Sequence, residues 1–86
     1  MALRVPDHVS WKNLESGTVL LDLRNSNYFT LNETATFLWR GIIVGKPETD
    51  LLAELVGEYG CDRGQAQTDL QESLDYLMDE ELLIED

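Results

Sequence analysis

The chain has 86 residues, 43% of them hydrophobic, which is enough for one domain spanning residues 1–86 with a packed core. Its 17 acidic and 6 basic residues give a net charge of −11, which repels nucleic-acid phosphates and anionic membranes. No apolar run is long enough to span a bilayer and no signal peptide is recognisable, so we expect a cytoplasmic protein that binds neither nucleic acid nor membrane.

The single cysteine, Cys61, and the single histidine, His8, do not point to chemistry. One cysteine cannot form an internal disulfide, which agrees with a reducing compartment. The two residues lie far apart and lack the spacing of metal ligands, and no nucleophile elbow or phosphate-binding glycine loop is present. We therefore expect a protein that is not an enzyme, with no catalytic residue, metal site or cofactor. No role for Cys61 follows from the sequence.

Three strands are predicted near the start of the chain. Alternating and β-branched residues indicate strands at Val9–Leu14, 18–23 and 28–31, with polar turns between them. Short turns join antiparallel strands, so the middle strand pairs on both sides and the outer two form the edges of the sheet. Trp11 in the first strand and Trp39 further along are expected to lie in the core.

Three helices are predicted in the rest of the chain. Asn32 is suited to cap the first, Pro47 and Gly60 bound the second, and Asp62 caps a third over 63–78. Each has apolar residues at helical spacing: Ala35, Leu38, Trp39 and Ile42; Leu51, Leu52, Leu55, Val56 and Tyr59; and Ala66, Leu70, Leu74 and Leu77. This order predicts an α+β fold, a three-stranded antiparallel sheet followed by three helices, similar to a winged helix-turn-helix.

The junction between the third strand and the first helix carries a distinctive motif. The segment Asn27-Tyr28-Phe29-Thr30-Leu31-Asn32-Glu33-Thr34-Ala35, followed by Trp39, resembles the YF-x-LNETA…W signature of PqqD-like proteins. The Val5-Pro6 opening and the Leu77-Met78…Leu82-Leu83 ending also resemble the family, so the resemblance covers nearly the whole chain. PqqD-like proteins are recognition elements in pathways that modify ribosomally made peptides.

Within that family, the chain is most similar to the stand-alone proteins of lasso peptide biosynthesis. The form acting in pyrroloquinoline quinone assembly usually carries a YPE segment where this chain has Asn27-Tyr28-Phe29. The resemblance implies that the chain holds the leader of a precursor peptide for a separate leader-cleaving cysteine protease or another maturation enzyme. Two alternatives remain open: a PqqD-type peptide chaperone in quinone or other radical-enzyme pathways, and a general protein-interaction domain.

The third strand is the expected docking place for such a leader. An edge strand presents unpaired N–H and C=O groups, to which an extended peptide can add as a further strand. The resemblance implies that the leader pairs there and lies against the third helix. The predicted peptide-binding residues are Tyr28, Phe29, Thr30 and Leu31 on the strand and Asp69, Glu72, Ser73 and Tyr76 on the helix. The side chains of Phe29 and Leu31 could instead belong to the core, and Asp69 and Glu72 could attract a basic leader side chain or simply be solvated.

Overall fold

The computed structural model describes residues 3–15, 17–60 and 62–85. The elements in chain order are β1 (Leu3–Arg4), β2 (Val9–Leu14), β3 (Gly17–Asp22), β4 (Asn27–Leu31), α1 (Glu33–Ile43), α2 (Glu48–Tyr59), α3 (Arg63–Asp79) and β5 (Ile84–Glu85). The predicted α+β fold, with three antiparallel strands followed by three helices, is confirmed. The structure adds a pairing between β1 and β5 at the two ends of the described chain. The expectation for Cys61 lies outside the described residues.

The main sheet has the strand order β2-β3-β4, with both pairs antiparallel. β3 ends at Asp22, one residue earlier than predicted. The Asp22 carboxylate accepts a hydrogen bond from the backbone N–H of Arg24 at 3.0 Å, and this contact starts a turn. Ser26 completes the turn with a left-handed φ of 61°. β4 then begins at Asn27, which is paired with Asp22, so the predicted third strand is one residue longer than expected.

The far end of β4 is fixed by two contacts at Leu31. A side chain at Gly17 would collide with the carbonyl oxygen of Leu31, so glycine allows the adjacent strands to approach closely there. The hydroxyl of Thr36 on α1 donates to the same oxygen at 3.3 Å. The end of β4 is therefore anchored both to β3 and to the first turn of α1.

The helix boundaries follow from side-chain caps that the sequence predicted. The side chain of Asn32 accepts a hydrogen bond from the backbone N–H of Ala35 at 2.9 Å. The side chain of Asp62 accepts one from the backbone N–H of Gln65 at 2.8 Å. Gly60 ends α2 in the left-handed conformation, with a φ of 64°. Because both caps satisfy first-turn amides, α1 and α3 begin at fixed points in the chain.

The core lies between one face of the sheet and the three helices. Its buried apolar residues are Val9, Leu20, Leu31, Leu38, Trp39, Ile42, Leu51, Leu52, Leu55, Ala66, Leu70, Leu74, Leu77, Leu82 and Leu83. Trp39 is fully buried, as predicted, whereas Trp11 is 40% exposed, so its assignment to the core was wrong. Trp11 lies on an edge strand and packs edge-to-face on Trp39 with ring centroids 5.9 Å apart, so neighbours cover it from one side only.

A polar cluster joins the β3–β4 turn to the segment that follows α3. Arg24 binds the buried carboxylate of Asp22 through two nitrogens, at 2.8 and 3.1 Å, and reaches Glu81 at 3.1 Å. The Nε2 of His8 donates to the backbone carbonyl of Glu81 at 2.8 Å. These contacts tie the start of β4 to the end of α3, the two elements that border the groove described below.

The Asp22–Arg24 contact predicts a specific acid sensitivity. The side-chain hydrogen bond from Arg24 lowers the pKa of Asp22 to about 2, although burial acts in the opposite direction. In the unfolded chain an aspartate has a pKa of about 3.9, so between about pH 4 and pH 2 the unfolded state binds more protons than the folded state. The stability that Asp22 contributes is therefore complete above this window and is lost as the pH falls through it.

Urea unfolding followed by circular dichroism checks this expectation. At neutral pH Asp22→Asn should unfold at lower urea than the parent chain, and the two midpoints should converge as the pH approaches about 2. Asp75→Asn, which changes an exposed carboxylate of α3, serves as the matched control and should show no such convergence. If the difference in urea midpoint between Asp22→Asn and the parent chain stays constant down to about pH 2, the Asp22–Arg24 contact is not the cause of the acid sensitivity.

Candidate functional site

A groove lies between β4, the start of α1 and the last turns of α3. Its cavity has a volume of about 270 Å³ and is lined by Thr30, Leu31, Asn32, Ala35, Glu72, Ser73, Tyr76 and Leu77. The structure thus brings together five of the residues singled out from the sequence: Thr30, Leu31, Glu72, Ser73 and Tyr76. Tyr28, Phe29 and Asp69 do not line the cavity itself. A larger cleft of about 660 Å³ lies elsewhere, between α1 and α2, and includes none of the eight.

β4 is an edge of the main sheet, because β3 is its one partner among the described residues. The pattern of backbone hydrogen bonds shows which of its groups face outward. The amide of Leu23, just after β3, donates to the carbonyl of His8 at 2.7 Å, on the β2 side. Since antiparallel strands alternate the direction of their backbone groups, Val19 and Leu21 also face β2, whereas Leu20 faces β4.

The same alternation passes from β3 to β4 through their register. Leu20 is paired with Phe29, so the N–H and C=O groups of Phe29 point toward β3. Tyr28 and Thr30, on either side of it, therefore direct their backbone N–H and C=O groups toward the open margin of the sheet. This margin faces the groove, because Thr30 also lines the cavity.

The side chains of β4 divide between the two faces of the sheet. Tyr28 is 70% exposed and Thr30 is exposed, both on the face away from the core. Phe29 is half-buried and packs on the core, and Leu31 is buried. The strand therefore offers polar backbone at its margin, while Leu31 closes the floor of the cavity.

The α3 wall carries carboxylates in different surroundings. Asp69 accepts a hydrogen bond at 2.9 Å from the side-chain amide of Gln65, and Asp75 accepts one at 2.9 Å from that of Gln71. Glu72 lies between them in sequence and lines the cavity, yet within 3–15, 17–60 and 62–85 its side chain forms no hydrogen bond or ion pair. Asp69, predicted as a binding residue, is thus engaged within its own helix and set back from the cavity.

Three cavity residues were not predicted from the sequence as site residues: Asn32, Ala35 and Leu77. Asn32 was interpreted only as a helix cap and Leu77 only as a core residue, and the structure shows that both also border the groove. Ala35 is half-buried in the first turn of α1, where its small side chain leaves space beside Leu31. The motif that carries the family resemblance contains both Asn32 and Ala35, and this is the signal that could have identified them.

Metal sites and membrane-spanning helices would be alternatives in the described part of the chain. No group of three or more His, Cys, Asp and Glu side chains there is placed to hold a metal ion. None of the helices α1 to α3 is long and apolar enough to cross a membrane.

Two solved structures are similar to this chain over almost their whole length. One is TbiB1 in complex with the TbiA(beta) leader peptide: it is 28% identical, the match covers 96% of this chain and 99% of that one, and the TM-score is 0.88. The other is lasso peptide synthetase B1 complexed with the leader peptide: it is 26% identical, with 99% and 100% coverage and a TM-score of 0.92. No curated protein matches the chain.

A protein-family model also matches, over residues 17–83. Its family is described as Coenzyme PQQ synthesis protein D (PqqD). The matched region runs from the start of β3 to the segment after α3, and so includes the whole groove. The chain belongs to the PqqD family.

Proposed function

We propose that this chain binds the leader segment of a ribosomally synthesised precursor peptide by β-strand addition to β4. The leader lies in the groove against α3 and is presented to a separate leader-cleaving protease or other maturation enzyme, as in lasso peptide biosynthesis. The observation that carries the proposal is the open margin of β4 beside a cavity shared with α3. The two similar solved structures, both complexes with leader peptides, support it.

The energetics of such binding are adequate. Tyr28 and Thr30 each offer a backbone donor and an acceptor, and a hydrogen bond contributes about 1 kcal/mol net. An apolar side chain that enters the cavity beside Leu31, Ala35 and Leu77 adds roughly 1.5–3 kcal/mol. After the free-energy cost of ordering a flexible leader is subtracted, we expect a dissociation constant in the micromolar to nanomolar range.

The proposed role is binding without catalysis. A peptide that pairs with an edge strand is extended, so the part of the precursor beyond the groove stays accessible to a second protein. The chain then raises the local concentration of the precursor near its maturation enzyme, which performs the chemistry.

Nuclear magnetic resonance tests this proposal directly. The probe is the leader segment of a lasso peptide precursor, titrated into ¹⁵N-labelled protein. We expect the largest amide shifts at residues 28–31 and 69–76, because these segments border the groove. Shifts confined to β2 or α2 would rule out this groove as the binding site.

A further inference from the structure

We propose that the groove selects leaders that carry a lysine or arginine at the position facing Glu72. This inference rests on the proposed function and adds the chemical class of the peptide side chain that the site recognises. Its basis is an unpartnered carboxylate at the cavity, an aromatic ring one helical turn away, and the lack of any cation in the cavity lining.

Glu72 differs from its acidic neighbours on α3. The carboxylates of Asp69 and Asp75 each accept an amide hydrogen bond from the glutamine four residues earlier. Glu72 forms no such bond within the described residues, although it lines the cavity. Its hydrogen-bonding capacity is therefore available to a bound peptide, whereas that of its neighbours is partly used.

Tyr76 places an aromatic ring next to this carboxylate. Residues four apart on a helix are neighbours on the same face, so Glu72 and Tyr76 border the cavity side by side. Tyr76 is 48% exposed, which leaves much of its ring accessible. A lysine or arginine head group between them would gain both an ion pair and a cation–π contact, which a neutral or acidic side chain would not.

No cation of the described residues occupies this position. None of the residues that line the cavity is basic, and the sequence contains no lysine or arginine after Arg63. The potential along α3 is therefore negative, which attracts a basic guest and repels an acidic one. Because the site is partly exposed to solvent, we expect a preference for lysine or arginine over a neutral residue of about three- to tenfold.

Selection from a random peptide library tests the inference without knowledge of the natural leader. The probes are mRNA-displayed peptides about ten residues long, enough to span the five-residue β4. Selections use the parent chain, Glu72→Gln and Asp75→Asn, which removes the same charge from an exposed position of α3 that does not line the cavity. Retained peptides are then tested against Thr30→Pro, so that binding at the β4 margin is distinguished from binding elsewhere.

The inference predicts enrichment of lysine or arginine at one position with the parent chain and Asp75→Asn, and loss of that enrichment with Glu72→Gln. The preference should also weaken with added salt. Thr30-dependent peptides without a basic preference, or with the same preference for Glu72→Gln, would overturn it and leave strand addition standing. If no selected peptide depends on Thr30, the proposed function fails and this inference fails with it.

Discussion

Thr30→Pro is expected to reduce leader affinity by about 100-fold or more while leaving the chain folded. The N–H of Thr30 points to the open margin of β4, so proline removes a donor that the leader needs and not one that holds β4 to β3. The ring also occupies the space into which the guest strand would pair. Proline is tolerated at such edge positions for the same reason. Fluorescence anisotropy with a labelled leader gives the affinity, and circular dichroism confirms the fold.

Two matched variants separate the backbone effect from other causes. Thr30→Ala removes the side chain but keeps the N–H, so it should bind the leader within a few-fold of the parent chain. Asn13→Pro places the same ring on β2, the opposite edge of the sheet; it also removes the side chain that accepts the Thr18 hydroxyl at 3.1 Å, so its fold is checked by circular dichroism, and the folded variant should bind the leader as the parent chain does. Unchanged affinity in folded Thr30→Pro, or an equal loss in Asn13→Pro, would count against strand addition at β4.

The general fold could be predicted because local signals agreed with one another. The polar turns, the caps at Asn32 and Asp62 and the apolar stripe of α3 each fix one element, and each is a short-range effect. The pairing of β1 with β5 could not be predicted, because strands of two residues show no periodicity and pair only when distant segments meet. The exposure of Trp11 likewise depends on how far the helices extend across the edge of the sheet.

The candidate site, like the fold, could be predicted only in part. The predicted α3 residues Glu72, Ser73 and Tyr76 follow helical spacing, and the structure brings all three to the cavity beside β4. The same spacing predicted Asp69 as a binding residue. It could not show that the side-chain amide of Gln65 donates a hydrogen bond to the Asp69 carboxylate. Nor could it reveal that Ala35 lines the cavity, because that depends on the angle at which α1 leaves β4. Sequence periodicity gives the face of a helix, whereas the depth of a pocket depends on packing.

Filling the cavity should abolish binding as strongly as blocking the strand margin. Ser73 is half-buried in the α3 wall, so Ser73→Phe directs a large ring into a cavity of about 270 Å³. We expect leader affinity to fall by about 100-fold, because the apolar anchor of the leader and one or more backbone hydrogen bonds lose their places. Stability should change by no more than about 1 kcal/mol, since the ring enters space that is open to solvent.

Gln67→Phe provides the matched control, because it adds the same ring to an exposed position of α3 that does not line the cavity. Its affinity for the leader should equal that of the parent chain. Both variants are compared by anisotropy titration and by urea unfolding. If Ser73→Phe binds the leader normally while remaining folded, the guest chain does not enter this cavity, because a peptide seated between Leu31 and Leu77 could not share the space with the added ring.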